Sequence, residues 1–138
     1  MNHYAYDDIP IGFSITFAVV ITEETASHFT DITGDVNPLH TDKRYARNAG
    51  YSDKVAYGML TASFLSTLAG MYLPGENSLI HKVEVEFPAP VFIGDRLVFS
   101  GKVVKKDDRF RIIELAITAT NSDKQKVLRG KMRVEVRQ

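Results

Sequence analysis

The chain has 138 residues, with 17 basic and 17 acidic side chains, 44% hydrophobic residues and no cysteine. This length predicts one globular domain with its own core, and the lack of cysteine excludes disulfide scaffolds, thiol nucleophiles and cysteine-ligated metal sites. The neutral balance disfavours bulk nucleic-acid binding, although residues 1–95 sum to −7 and residues 96–138 to +7, which leaves room for a small anionic ligand.

The first ten residues contain two aspartates and no basic residue. They lack the charged start and apolar run of a secretory signal, so we expect a cytoplasmic protein. A β-strand is predicted at residues 11–21, where large apolar side chains recur at every second position. The side chains that share its inward face are Phe13, Ile15, Phe17, Val19 and Ile21.

A helix is predicted directly after this strand. Thr22 is a suitable N-cap, and two glutamates in the first turn complement the helix dipole. Gly34 ends the helix and begins a polar loop, GDVNPLHTD. Asp42, the last residue of this loop, caps a short predicted helix that stops near Gly50.

The longest uncharged stretch covers the 21 residues between Lys54 and Glu76, which on length alone could cross a bilayer. Pro74, Gly75 and four serine or threonine side chains argue against insertion, so we predict a buried central helix at about 57–73 and no membrane span. One face of this helix carries small side chains and another carries bulky apolar side chains. The small face comprises Gly58, Ala62, Ser66 and Gly70, and the bulky face comprises Leu60, Phe64, Leu68 and Met71.

The rest of the chain predicts four strands, at residues 78–87, 96–106, 110–121 and 126–136, because apolar side chains alternate along each of them. Short polar connections between the last three indicate antiparallel neighbours. These elements predict an α+β fold in a single domain, residues 1–138. In this fold a curved antiparallel sheet surrounds the long central helix.

The candidate catalytic residues lie in the polar loop. Asp35 and His40 are five positions apart, with Asn37 and Pro38 between them. Asn-Pro forces a turn, because the residue before proline avoids the helical region. The turn can bring a carboxylate and an imidazole to one water as an acid–base pair. Alternatively, Asp35 caps the turn, Asn37 forms an Asx turn and His40 is a surface histidine. The histidine spacing does not fit a metal site, and none is expected.

Three separated segments resemble one family in the right order. GDVNPLHTDKRYA resembles the hydratase motif of the MaoC-like (R)-specific enoyl-CoA hydratases. GYSDKVAYGML resembles the glycine-aromatic loop and helix start of that family, and FPAPVFIGD resembles its F-x-x-P-V-x-x-G-D segment. The resemblance covers about residues 8–136. It implies the hot-dog fold and a homodimer in which two sheets join, with the active sites at the dimer interface.

By this resemblance the chain is a hydro-lyase of fatty acid metabolism, which adds water to a trans-2-enoyl thioester to give the (R)-3-hydroxyacyl thioester, or removes it. Asp35 and His40 would hold the water, and Gly58 matches the family glycine whose backbone N–H binds the thioester oxygen. Ser66 matches a polar residue near the pair in some members, and Asn37 would shape the loop. The residue before Gly58 is Tyr57, where the family usually has histidine. The expected partner is an enoyl-CoA or enoyl-acyl-carrier substrate, with no cofactor.

Two other functions stay open at this point. One is a non-catalytic module that binds acyl thioesters, and the other is an acyl-CoA thioesterase on the same fold. The basic second half of the chain raises a related question, because its cations could bind the phosphates of CoA or form a solvated outer sheet face. The candidate cations are Lys102, Arg129, Lys131 and Arg133.

Overall fold

The computed structural model describes all of residues 1–138 and contains one antiparallel sheet of five strands. The strands are β1 (Ser14–Val20), β2 (Ser78–Glu86), β3 (Arg96–Asp107), β4 (Ile112–Thr120) and β5 (Lys126–Val136). Their order across the sheet is β1-β3-β4-β5-β2, so β1 and β2 form opposite edges. All five predicted strands are present, with ends that differ from the prediction by a few residues.

Helices connect β1 to β2 and carry the chain from one edge of the sheet to the other. They are α1 (Glu23–Thr33), α2 (Pro38–Thr41), α3 (Lys43–Asn48) and α4 (Gly58–Thr67). No helix of the protein is both long enough and apolar enough to cross a membrane.

Local sequence signals determine both ends of α1. Thr22 Oγ1 accepts a hydrogen bond from the Thr25 N–H at 3.0 Å, which confirms the predicted N-cap. At the other end Gly34 has φ 72°, in the left-handed region that favours glycine, and its N–H donates to the Thr30 carbonyl at 2.8 Å. The chain therefore leaves α1 in a fixed direction toward Asp35.

The segment predicted as a polar loop contains the short helix α2. It begins at Pro38, whose missing N–H would have no helical acceptor at this position, and Asn37 Oδ1 accepts from the Leu39 N–H at 3.0 Å. The prediction of a loop was wrong here, because Asn-Pro is both a turn signal and a helix start. Asp42 caps α3 as predicted, accepting from the Tyr45 N–H at 3.0 Å.

The central helix is also different from its prediction. α4 ends at Thr67, and the chain continues as a π-helical turn over Leu68–Tyr72. Leu68 is fully buried against Gly101 of β3, where an added Cβ would lie 2.9 Å from Leu68 Cδ2. The missing side chain of Gly101 thus permits the close approach of the helix to the sheet.

The hydrophobic core fills the space between the sheet and one side of α4. Its fully buried side chains include Phe99, Leu115 and Met132 from the strands and Leu68 from the helical segment. The opposite side of α4 is open, and Met59 on that side is 66% exposed. The sheet of this chain therefore covers one side of α4 and leaves the other side uncovered.

Tyr6 anchors the N-terminal segment to the turn after β3 and to the last residue of the chain. Its hydroxyl donates to Asp108 Oδ1 at 2.6 Å, and its N–H donates to the Gln138 carbonyl at 2.8 Å. Burial of the phenol, together with the neighbouring Asp108 carboxylate, raises the pKa of Tyr6 to about 12. These contacts tie both ends of the chain together.

Candidate active site

A cavity of about 670 Å³ lies between the end of α1, the start of α4 and β2. Asp35, His40 and Gly58, which the sequence proposed as a group, all line it. Tyr57 and Val83 are also part of its wall. The fold therefore brings three candidate residues from separate segments to one place.

Asp35 lies in the loop between α1 and α2 with its carboxylate exposed. Its Oδ1 accepts from the Asn37 N–H at 3.0 Å, which forms an Asx turn, while its Oδ2 has no partner within the protein. The turn-forming role and a chemical role are therefore compatible, because one oxygen holds the turn and the other faces solvent.

His40 belongs to α2 and is half-buried. Its Nδ1 lies 2.6 Å from the Val55 carbonyl oxygen. Because a carbonyl oxygen only accepts, Nδ1 carries the hydrogen, and Nε2 of the neutral ring is then the proton-accepting nitrogen. The ring also packs on Tyr57, with 4.2 Å between ring centroids. These contacts orient the imidazole, so the alternative of a loose surface histidine does not fit.

Asp35 and His40 contact the same cavity without a hydrogen bond or ion pair to each other. Both side chains are therefore available to a molecule bound in this cavity. No group of three or more histidine or carboxylate side chains in the structure is arranged to hold a metal ion. The chemistry that this pair can perform is proton transfer.

Gly58 is the first residue of α4. An N–H in the first turn of a helix has no acceptor within the helix, and the capping residue Tyr57 makes no side-chain hydrogen bond there. The helix dipole adds partial positive charge at this end. Gly58 can thus offer a hydrogen-bond donor to a developing negative charge in the cavity.

The other two predicted site residues lie outside the cavity lining. Asn37 caps α2 and so shapes the loop. Ser66 is exposed further along α4, and its predicted place near the pair stays a prediction. Ser63, which is closer to Gly58, lines the cavity, and its Oγ donates to the Leu60 carbonyl at 2.6 Å.

The four cations considered for CoA phosphates lie on the outer face of the sheet. Val83 of β2 lines the candidate site, whereas its neighbour Glu84 lines a different cavity together with Lys131. Lys131 Nζ is 3.5 Å from Glu84 Oε2, and Arg129 Nε is 2.9 Å from Glu86 Oε2. Arg133 also lines the outer cavity, and Lys102 lies in the same cross-strand row as Lys131. Within one chain these cations therefore do not reach the site.

Comparison with known proteins shows to which family a chain with this fold and site belongs. Residues 10–125 match the family described as MaoC like domain. This chain belongs to the MaoC-like family. An (R)-specific enoyl-CoA hydratase from Rhodospirillum rubrum is 31% identical over 134 residues, which cover 97% of this chain and 92% of that protein. A 3-hydroxybutyryl-CoA dehydratase from Methylorubrum extorquens is 30% identical over 131 residues, covering 95% and 83%.

The MaoC-like chain also shares its fold with solved hydratase structures. The unliganded (R)-hydratase from Pseudomonas aeruginosa superposes with a TM-score of 0.90 at 25% identity, and the match covers 96% of this chain and 84% of that one. The predicted family and the α+β hot-dog fold are thus confirmed.

Some residues of this MaoC-like site escaped the sequence reasoning. Phe29 and Thr33 at the end of α1 and Val83 of β2 line the cavity. Their spacing identified helix and strand positions but carried no signal that the two elements meet at the start of α4. Tyr57 was noticed as a departure from the family, and its contacts became visible only in the fold.

Proposed function

We propose that this MaoC-like protein is an (R)-specific enoyl-CoA hydratase, or a 3-hydroxyacyl-CoA dehydratase in the reverse direction, and hence a hydro-lyase. The observation that carries the proposal is the shared cavity of Asp35, His40 and Gly58. The names of the two relatives at 30–31% identity describe the same chemistry.

Asp35 and His40 activate the water in this proposal. His40 Nε2 accepts one water proton, because its Nδ1 hydrogen is engaged by the Val55 carbonyl. Asp35 Oδ2 accepts a hydrogen bond from the second water hydrogen, which stays on the oxygen, and directs that oxygen toward Cβ of the enoyl group. The C–O bond forms at Cβ while the π electrons move toward the thioester carbonyl. Protonated His40 then returns a proton to Cα, so one water is added in total.

In this proposal the backbone N–H of Gly58 binds the thioester oxygen, to which the electrons move. As the C–O bond forms, negative charge develops on the thioester oxygen. A fixed backbone donor at a helix N-terminus stabilises that charge without reorganising. Gly58 therefore stabilises the developing enolate, while Asp35 and His40 bind the attacking water from another part of the cavity wall.

The proposed substrate is a trans-2-enoyl thioester of CoA or of an acyl carrier, in fatty acid metabolism. Water addition to a conjugated double bond is neither an oxidation nor a reduction. Acid–base groups and a hydrogen-bond donor are sufficient for it, so the proposal includes no cofactor. The cytoplasmic location expected from the N-terminal residues stays a prediction.

We also propose a homodimer that joins along β2. This strand is an edge of the sheet and pairs only with β5, so one side of its backbone has no strand neighbour. Ile80 and Val83 of β2 are 37% and 43% exposed, and Met59 on the open side of α4 is also exposed. A second copy against this edge would cover apolar surface and complete the cavity that Val83 and Met59 line.

The first test is hydration of crotonyl-CoA by the purified protein, followed as loss of the absorbance of the conjugated enoyl thioester. We expect (R)-3-hydroxybutyryl-CoA, identified by chiral analysis. His40→Ala removes the proton acceptor, and Asp35→Asn replaces a carboxylate oxygen that holds the water by an amide donor, so each should lower kcat by roughly 10²–10⁴-fold.

Matched controls lie close by on α1. Asp31→Asn and His28→Ala make the same chemical changes at exposed positions outside the cavity and should leave kcat unchanged. Thiol release from butyryl-CoA would identify a thioesterase instead, and a thiol reagent detects it cleanly because the chain has no cysteine. Binding of enoyl thioesters without turnover of any of them would identify a binding module.

A further inference from the structure

Tyr57 is a buried tyrosine between the two members of the acid–base pair, and the proposed reaction does not use it. Its side chain is part of the cavity wall, yet the residue is only 3% exposed. It immediately precedes Gly58 as the residue that caps α4.

Hydrogen bonds join the Tyr57 hydroxyl to two other segments. It donates to the Asp35 carbonyl oxygen at 2.7 Å. Thr30 Oγ1 of α1 lies 2.5 Å from the same hydroxyl oxygen. A phenol has one hydrogen, so Tyr57 cannot donate to both Asp35 and Thr30. The single hydroxyl hydrogen of Thr30 is shared between the Tyr57 oxygen and the Ala26 carbonyl, which lies 3.0 Å from Thr30 Oγ1. The hydroxyl thus ties the Asp35 loop to α1 and to the start of α4.

The ring of Tyr57 contacts the other member of the pair. Its centroid lies 4.2 Å from that of His40 at an interplanar angle of 34°. Phe29 also packs on the Tyr57 ring, with 4.8 Å between ring centroids. One side chain therefore holds the backbone of Asp35 through its hydroxyl and the plane of His40 through its ring.

Apart from the Tyr57 bond, the hydrogen bonds of the Asp35 loop run only within the loop or to α1 and α2. Residues 34–37 are all exposed, and the Asp35 N–H makes only a long hydrogen bond of 3.3 Å to Thr33 Oγ1. The Asx turn between Asp35 and Asn37 is internal to the loop and does not fix its distance from α4. The bond from Tyr57 to the Asp35 carbonyl supplies that fixed distance.

We propose that Tyr57 is a positioning residue, whose hydroxyl sets the separation between Asp35 and His40 on the two sides of the reacting water. This inference rests on the proposed function and adds to it a residue that need not touch the substrate. Misplacing a reacting group by about 1 Å can cost about 10²-fold in rate. The hydroxyl should therefore affect turnover more than substrate binding.

The test uses Tyr57→Phe, which removes the hydroxyl and keeps the ring that packs on His40. We expect kcat for crotonyl-CoA to fall by about 10- to 100-fold while KM changes by less than about twofold. In an Asp35→Asn background the same substitution should lower kcat by less than about twofold, because the hydroxyl acts through Asp35.

Tyr6→Phe is the matched control. It also removes a buried tyrosine hydroxyl with a short hydrogen bond, 2.6 Å to Asp108, but neither residue lines the candidate cavity. It should lower thermal stability and leave kcat unchanged. A loss of kcat in Tyr57→Phe no larger than in Tyr6→Phe, or a full additional loss in the Asp35→Asn background, would overturn the proposal.

Amide hydrogen exchange gives a readout that does not depend on activity. The Asn37 N–H, which bonds to Asp35 Oδ1, should exchange faster in Tyr57→Phe than in the wild type, and unchanged exchange would contradict the positioning role. If the wild type fails to hydrate any enoyl thioester, the proposed function fails. The exchange measurement then still decides whether Tyr57 orders the loop.

Discussion

Gly58 allows the contribution of a backbone N–H to be separated from that of a side chain. An added Cβ would lie 3.5 Å from the Phe87 ring, which is ordinary van der Waals contact, so alanine fits the space. Proline is also compatible with the first position of a helix. Tyr57 already has ψ 126°, the extended conformation required of a residue before proline. Two substitutions can therefore retain the helix start and differ in the hydrogen-bond donor.

Gly58→Pro should lower kcat/KM for crotonyl-CoA by roughly 10²–10³-fold, because it removes the donor that stabilises the developing enolate. Gly58→Ala keeps the N–H and should lose far less. Steady-state kinetics measure the difference, and thermal unfolding checks that both variants fold. Similar losses in the two variants would mean that this N–H is not the donor.

Spacing made Asp35 and His40 candidates, because Asn-Pro between them forces a turn, and the resemblance to the MaoC-like family implied their roles. The contacts that orient these two side chains cannot be inferred from the spacing. The Val55 carbonyl is 15 residues from His40, and the Tyr57 hydroxyl is 22 residues from Asp35. No local pattern encodes pairs at such separations, since they depend on how α1, α2 and α4 pack together.

The caps of α1 and α2 are chemically alike but differ in their relation to the site. Thr22 and Asn37 each accept a hydrogen bond at 3.0 Å from an N–H in the first turn. The helix capped by Asn37 carries His40, whereas Thr22 lies at the end of α1 remote from the Asp35 loop. Equal losses of capping energy should therefore have unequal effects on catalysis.

Asn37→Ala and Thr22→Ala should each lower the free energy of unfolding by about 1 kcal/mol, measured by urea denaturation. Asn37→Ala should also lower kcat, because a frayed α2 no longer fixes the His40 ring. Thr22→Ala should leave kcat close to that of the wild type. Equal kcat values in the two variants would argue that α2 is held by its packing and not by its cap.

Regular periodicity and caps made most elements predictable. The alternation of apolar residues identified every strand, and Thr22, Gly34 and Asp42 mark helix ends as expected. The end of α4 was not predictable, because the π-helical turn at Leu68–Tyr72 accompanies packing against Gly101, which is distant in sequence. Local sequence signals thus predict the helices and strands, whereas tertiary packing determines where the central helix changes from α-helical to π-helical.

Across the whole molecule, the zero net charge reflects two opposite halves of the chain, which meet in the sheet at the β1–β3 and β2–β5 boundaries. The acidic half carries the candidate site, and the basic half forms β3, β4 and β5. Ion pairs from Glu84 and Glu86 of β2 to Lys131 and Arg129 of β5 join the two halves on the outer face. Such exposed pairs contribute little stability, so their main effect is to neutralise this face. The inner side of β2 remains apolar and open.

That open edge gives the proposed dimer a direct test. Ile80→Lys adds a charge to the unpaired edge strand at a residue outside the cavity lining, and lysine on an edge discourages pairing between sheets. Light scattering should give the wild type twice the chain mass of 15.5 kDa and the variant a single chain mass. Phe110→Lys is the control, since Phe110 is 61% exposed in the turn between β3 and β4 and the variant should stay dimeric. If the dimer completes the cavity, Ile80→Lys also loses hydratase activity at concentrations where Phe110→Lys retains it. A monomeric wild type, or a dimeric Ile80→Lys, would rule out pairing through β2.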